Sequence, residues 1–223
     1  MKPTLYLLSI LFVVSSCKSD KKESVEPVEK QLSIAEKIAN ANGFENWKEV
    51  SQINFTFNVD RDTTHFERSW IWKPKTGDVT MMTSKDTISY NRKSVDSTSM
   101  NADKSFVNDK YWLMAPYQLV WDSSAKLSDT IQAEAPISKT KMNKITITYT
   151  SDGGYTPGDA YDFFYGDDYI VKEWIYRKGN SNEPSMMTTW EDYEDFNGIK
   201  LSKTHNRPEG NWKLHFTNIK VMK

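Results

Sequence analysis

The sequence predicts a mainly β fold: a curved antiparallel meander that forms an open or half β-barrel, with an N-terminal helix and a short central helical insert. Two observations support this class. Apolar and polar residues alternate with a period of two along many short segments, and clusters of turn-forming residues separate these segments. Aromatic residues make up 13% of the chain, although its mean hydropathy is -0.68. A polar chain with many aromatic residues is typical of strands that bury one face and expose the other.

The first residues have the features of a secretory signal. Lys2 precedes an apolar run at residues 5–14, and two serines then lead to Cys17, the only cysteine of the chain. The run is too short to cross a bilayer core of about 30 Å as a helix. The residues Val14-Ser15-Ser16-Cys17 resemble the bacterial lipobox, and that resemblance implies a lipoprotein signal peptide at 1–16 and lipidation of Cys17. The alternative is an ordinary signal peptide followed by an unrelated cysteine.

Residues 17–31 are predicted to be the lipidated cysteine and a flexible tether. Positions 18–31 contain four lysines, four acidic residues, one proline and no aromatic residue, a composition that cannot bury enough apolar surface to fold. This mixture loosely resembles the surface-export signals of Bacteroidetes lipoproteins. We therefore expect an outer membrane lipoprotein of the cell envelope, held to the membrane through Cys17, with the leaflet left open. Residues 32–223 then form a single β-rich domain.

Capping residues and periodicity predict the elements in chain order. Ser33-Ile34-Ala35-Glu36 is a capping box that begins a short amphipathic helix, and Gly43 ends it. Residues 101–120 are expected to form one or two short helices interrupted at Pro116, with the apolar run 111–115 buried between layers. About eight to ten strands, joined as consecutive hairpins, account for the rest. They are predicted near residues 54–59, 66–72, 79–81, 87–90, 145–149, 160–176 (a hairpin that turns at 166–168), 186–193, 199–204 and 212–221.

This order of elements ends in the motif Trp190-x-x-Tyr193-x-x-Phe196-Asn197-Gly198-Ile199-Lys200-Leu201. Together they resemble the half-barrel architecture of the periplasmic lipoprotein carriers LolA and LolB, in particular an uncharacterised branch of flavobacterial lipoproteins. The resemblance implies that acyl chains are held in a cavity between the curved sheet and its helices. Candidate lining residues are Phe55, Phe57, Trp70, Trp72, Trp112, Phe163, Trp174, Trp190 and Trp212. The alternative is that these aromatic residues fill a solid core.

Two functions follow from these observations. The first is a non-enzymatic lipoprotein that binds a hydrophobic ligand, a lipid or acyl chain, in the concave face of the half-barrel. The alternative is an interaction or structural lipoprotein with a solid core that docks a protein partner of the envelope. A net charge of -1 gives no general attraction for nucleic acid. An enzyme has the least support, because the chain has neither a G-x-S-x-G nor an H-E-x-x-H motif, and no cofactor is implied.

Two groups of residues were considered as metal ligands. The three histidines, His65, His205 and His215, lack the helical spacing of a zinc site and are expected to lie at the surface. The acidic residues of 152–168 could supply oxygen ligands for calcium, although their spacing matches no calcium-binding loop. We therefore predict no metal site, and solvated loops are the simpler interpretation of the acidic segment.

Overall fold

The computed structural model describes residues 31–150 and 155–223. The expected signal peptide, the lipidation at Cys17 and almost all of the tether lie outside these residues. Residues 32–223 form one compact unit. Within the described ranges, no helix combines the length and the apolar character needed to span a bilayer.

The N-terminal helix α1 (Ile34–Ala41) begins at the predicted capping box. The Ser33 hydroxyl accepts a hydrogen bond from the Glu36 backbone N–H, and the Glu36 side chain accepts one from the Ser33 backbone. Gly43, with φ of 86°, follows the helix and leads into a 3₁₀ turn at Phe44–Glu49. This glycine allows the left-handed conformation that ends a helix. The predicted start and end of the helix are therefore confirmed.

The described residues contain thirteen strands and a second helix. In chain order they are β1 (Gln52–Arg61), β2 (Thr64–Lys73), β3 (Asp78–Met82), β4 (Thr87–Asn91), α2 (Met100–Trp121), β5 (Lys126–Leu127), β6 (Ile131–Glu134), β7 (Lys141–Thr148), β8 (Ala160–Tyr165), β9 (Val171–Arg177), β10 (Met186–Thr189), β11 (Glu191–Phe196), β12 (Ile199–Asn206) and β13 (Trp212–Met222). A further 3₁₀ turn lies at Lys178–Asn180. Strands β5 and β6 were not predicted, because they are short and mostly exposed and lack apolar alternation.

The strands form two antiparallel sheets. The seven-stranded sheet has the order β11-β12-β13-β1-β2-β3-β4, and the six-stranded sheet runs β10-β9-β8-β7-β5, with β6 also paired to β7. Neither sheet closes on itself. Consecutive hairpins build most of both sheets, and the pairing of β1 with β13 joins the two ends of the described domain. The predicted class, mainly β with open antiparallel sheets and few helices, is confirmed.

The chain crosses between the two sheets at Trp190. A single strand was predicted at 186–193, but β10 belongs to the six-stranded sheet and β11 to the seven-stranded one. Trp190 lies between them with its side chain buried, and its backbone N–H donates to the carbonyl of Lys172 at 2.7 Å. This break was not visible in the sequence, because β-rich alternation continues through it.

The central insert is longer than predicted, and it has an interruption two residues before Pro116, close to the predicted position. It is one helix of 22 residues, α2, and Pro116 lies inside it. Proline lacks the N–H of the helical ladder and its ring crowds the preceding turn, and the backbone departs from helical angles at Met114 (φ -130°, ψ 25°). The helix continues past this kink because contacts with other parts of the chain hold its last turn in place. The hydroxyl of Tyr117, for instance, donates to the Asn42 carbonyl at 2.6 Å.

Helix α2 packs against both sheets and so joins two apolar clusters. Phe106, Leu113 and Met114 pack in the cluster on the seven-stranded sheet. Ala115 packs in the cluster on the six-stranded sheet, and Trp112 contacts both clusters. The predicted burial of the run 111–115 between layers is therefore confirmed.

Candidate functional site

The candidate site is a cleft between α2 and the six-stranded sheet, which we call the aromatic cleft. Its volume is about 220 Å³. Helix α2 supplies one wall, strands β8 to β10 supply the other, and Tyr155 and Thr156, shortly before β8, border it as well. The lining residues are Lys104, Val107, Asn108, Tyr111, Trp112, Tyr155, Thr156, Tyr161, Trp174, Tyr176 and Met186.

The walls of the aromatic cleft are formed by aromatic rings that contact one another. Tyr111 lies 4.6 Å from Tyr161 and 5.9 Å from Trp174, measured between ring centroids. Trp112 meets Trp174 edge to face at 4.6 Å, and Tyr161 stacks on Tyr176 at 5.1 Å. Such contacts hold the rings in fixed positions. The cleft is therefore a preformed apolar surface.

The tyrosine hydroxyls at this site remain protonated at neutral pH. Burial, and next the neighbouring Asp159 carboxylate, raise the pKa of Tyr176 to about 12. Its hydroxyl donates to Asp159 at 2.8 Å. Burial likewise raises the pKa of Tyr111 well above its ordinary value. Among the described lining residues, Lys104 is then the only side chain that carries a formal charge at neutral pH.

Tyr155 lies at one side of the cleft, where its side chain contacts two residues of α2. Its hydroxyl donates to the Asp103 carboxylate at 2.7 Å, and the ammonium of Lys104 lies 5.8 Å from its ring. Asp103 also accepts hydrogen bonds from Tyr90 and Arg92. These contacts hold Tyr155 against the first half of α2.

The nine candidate aromatic residues do not line one shared cavity. Trp112 and Trp174 line the aromatic cleft, and Trp72 lines a separate groove beside the other end of α2. The rest belong to the two clusters: Phe55, Phe57, Trp70 and Trp212 to the first, and Phe163 and Trp190 to the second. Phe106 of α2 lies 5.4 Å from both Trp70 and Trp72. Helix α2 thus fills the space over the seven-stranded sheet, where the sequence resemblance implied a cavity.

Sequence reasoning missed the tyrosines of the cleft. Tyr161 precedes Phe163 by two positions, and Tyr176 follows Trp174 by two. The period-two rule places each of these tyrosines on the face of a residue that was already a candidate. The alternation therefore indicated that both tyrosines face the cleft. They were missed because only tryptophan and phenylalanine were taken as candidate lining residues.

His205 corrects the expectation that the histidines lie at the surface. It is fully buried on β12, and its ring lies 5.4 Å from Trp112 and 4.4 Å from Trp190. Its Nδ1 is 3.1 Å from the Thr189 carbonyl. Burial lowers the pKa of His205 to about 3, so its ring is neutral and belongs to the core. His65, by contrast, is half-exposed beside Asp60.

Three of the acidic residues that could supply ligands for calcium make contacts with protein groups. Asp162 pairs with Arg177 at 3.0 Å and Asp168 with Lys172 at 3.1 Å. Asp159 accepts hydrogen bonds from Tyr176 and from the Gly179 backbone. Within 31–150 and 155–223, no three His, Cys, Asp or Glu side chains are grouped so that they could hold a metal ion.

The fold and the site define an open antiparallel β domain with an aromatic cleft beside its central helix. No family model and no curated protein matches the chain. Several solved structures are similar to it, three of which are described here. A DUF1329 family protein from Desulfovibrio piger is 9% identical, with a TM-score of 0.47, over 84% of this chain and 91% of that one.

The other two structures carry names from the family that the sequence resembles. A LolA superfamily protein from Nitrosomonas europaea is 8% identical, with a TM-score of 0.49, over 86% of this chain and 95% of that one. A structure described as an outer membrane lipoprotein-sorting protein domain, from Vibrio parahaemolyticus, is 7% identical, with a TM-score of 0.46, over 85% and 91%.

Proposed function

We propose that this protein is a non-enzymatic lipoprotein of the outer membrane that binds a lipid or acyl chain in the aromatic cleft. The observation that carries the proposal is the cleft itself: six aromatic side chains line it, and Lys104 supplies its only formal charge among the described residues. Apolar walls with few polar groups are typical of sites for hydrophobic ligands.

The size of the cleft limits what can enter it. Its volume of about 220 Å³ is smaller than the roughly 300–1,000 Å³ of common small-molecule pockets. It therefore suits one segment of an acyl chain, and the rest of a lipid must extend outside. A recess of about 350 Å³ adjoins it, because Val107, Tyr111, Tyr155 and Thr156 line both.

Binding is tested with two methionines on one strand. Met186 lines the aromatic cleft, whereas Met187 lies on the opposite face of β10, because side chains alternate along a strand. We expect Met186→Glu to weaken binding of cis-parinaric acid, a fluorescent fatty acid, by about tenfold or more. The introduced carboxylate would have to lose its bound water when the acyl chain enters the cleft, and this loss costs free energy. Titration of the probe fluorescence measures this affinity.

Met187→Glu is the matched control and should keep the affinity of the unchanged protein. Melting temperatures of both variants show whether the fold is retained. If the unchanged protein is folded but does not bind the probe, the ligand hypothesis fails and the solid-core partner-docking alternative is favoured. Trp112 suits this test less well, because it packs in both clusters and its removal costs about 3–5 kcal/mol of stability.

The membrane anchor is proposed at Cys17. We expect Cys17→Ala to move the protein from the membrane fraction to the soluble fraction, because lipid chains contribute about 0.8 kcal/mol per buried CH₂ and the variant has none. Fractionation followed by a high-salt wash measures the distribution. Ser16→Ala is the matched control, since it changes the neighbouring residue and keeps the acceptor thiol. A Cys17→Ala variant that stays in the washed membranes contradicts the anchor.

A further inference from the structure

Lys110 is a buried lysine that makes no ion pair. It lies on α2 with 9% of its surface exposed, and its ammonium lies 5.8 Å from the ring of Trp72 and 5.2 Å from that of Trp121. No residue within 31–150 or 155–223 forms a salt bridge or hydrogen bond with it. A buried charge is costly unless it is paired, so this position calls for an explanation.

Nearby carboxylates are already engaged. Asp103 accepts hydrogen bonds from Tyr90, Arg92 and Tyr155. Asp122 accepts two from Ser124, through its backbone and its hydroxyl. Both acids influence Lys110 only at longer range, and the guanidinium of Arg92 repels it. Burial, followed by Arg92, lowers the pKa of Lys110 to about 7.

Lys110 lies where two recesses meet. One is the recess of about 350 Å³ that adjoins the aromatic cleft, and the other is an open groove of about 530 Å³ bordered by Trp72 and Trp121. Lys110 and Gln118 line both. Asp122 and Ser124 also line both recesses, and the first recess shares Val107, Tyr111, Tyr155 and Thr156 with the aromatic cleft. Lys110 therefore borders a space that adjoins the aromatic cleft, and the Gln118 amide adds a second hydrogen-bond donor there.

We propose that Lys110 binds the anionic head group of an amphiphile whose acyl chain lies in the aromatic cleft. This inference rests on the proposed function and names the chemical class of its ligand. One unpaired ammonium beside an apolar cleft matches a single negative charge at the end of a hydrocarbon chain. A carboxylate and a phosphate both satisfy this chemistry.

The test compares an acid with its uncharged ester. We expect Lys110→Met to weaken the binding of cis-parinaric acid by about tenfold or more, because a charged hydrogen bond is lost. Binding of the methyl ester of the same acid should stay within about twofold, since the chain contacts are unchanged. Lys85→Met, at an exposed lysine in the turn between β3 and β4, is the control and should leave both affinities unchanged.

A second readout follows from protonation. Because the ammonium loses its proton near pH 7, acid binding by the unchanged protein should weaken between about pH 6 and pH 8.5, while ester binding stays constant. Arg92, Asp103 and Asp122 face the same region. The Lys110→Met variant should lose the pH dependence.

The outcomes separate the two proposals. If neither acid nor ester binds to the unchanged protein, the cleft is not a ligand site and the proposed function fails. If both bind and Lys110→Met changes neither, or if Lys85→Met causes the same loss, the lysine inference alone is overturned. Competition by palmitate supports a carboxylate head group, competition by lysophosphatidic acid supports a phosphate, and competition by neither overturns the anionic site.

Discussion

Gly43→Ala is expected to destabilise the domain by about 3 kcal/mol or more. Gly43 has a φ of 86°, and a Cβ built on it would lie 1.9 Å from the carbonyl oxygen of Gly198. An L-residue in the left-handed region costs about 1–2 kcal/mol. The neighbouring atom is backbone, so the clash can be relieved only by separating the two chain segments. Urea denaturation followed by tryptophan fluorescence measures the loss.

Gly210→Ala is the matched control for this prediction. Gly210 has a φ of 78°, and nothing lies within 4 Å of the position where its Cβ would be. The alanine there therefore has the conformational cost without the clash, and we expect the free energy of unfolding to fall by about 1–2 kcal/mol. The difference between the two variants isolates the contact between Gly43 and Gly198. Equal losses would contradict the close approach.

This contact joins three parts of the fold. The carbonyl of Asn42, one residue earlier, accepts hydrogen bonds from the Lys200 backbone at 2.9 Å and from the Tyr117 hydroxyl at 2.6 Å. The 3₁₀ turn after α1, the hairpin between β11 and β12, and the end of α2 therefore meet at one point. Asn197 and Gly198 form the two-residue turn of that hairpin, with φ values of 55° and 84°. Such positive values favour an Asn-Gly pair.

Local signals predicted the elements of this fold well. The capping box at Ser33, the stop at Gly43 and the turn after Tyr165 depend on residues close in sequence, and all three are present. The signals failed where tertiary packing decides. The interruption predicted at Pro116 is present as a kink at Met114, but the length of α2 was not predicted, because contacts such as that of Tyr117 with Asn42 hold the turn after the kink. The alternation around Trp190 gave no sign that the chain changes sheets there.

The candidate site was predicted less completely, because it depends on how α2 lies between the sheets. Period-two alternation identified Trp174 as facing inward, but no local rule places Tyr111 and Trp112 against it. The rotation of a 22-residue helix decides which side chains fill the core and which leave a cleft. Lys110 illustrates the limit, since a lysine between Asp109 and Tyr111 on a helix is an ordinary surface pattern in sequence.

Asp109 holds α2 in this rotation, and we expect Asp109→Ala to destabilise the domain by about 3–5 kcal/mol. Its carboxylate is fully buried and accepts hydrogen bonds from Arg68, from the Trp70 indole at 2.8 Å and from Asn108 at 3.0 Å. The Arg68 guanidinium uses two nitrogens, and the second lies 2.6 Å from the carboxylate. Removing the carboxylate leaves a largely buried cation and an indole N–H without partners.

Three further measurements show whether the loss of stability comes from the buried pair of Asp109 and Arg68. Glu194→Ala removes a half-exposed partner of Lys203 and should cost no more than about 1 kcal/mol. The double variant Asp109→Leu with Arg68→Met should recover much of the stability, because an apolar pair of similar size needs no charge compensation. Since Asp109 lies next to Lys110 on α2, the single variant should also weaken cis-parinaric acid binding. A single variant as stable as the unchanged protein would show that other contacts fix the helix.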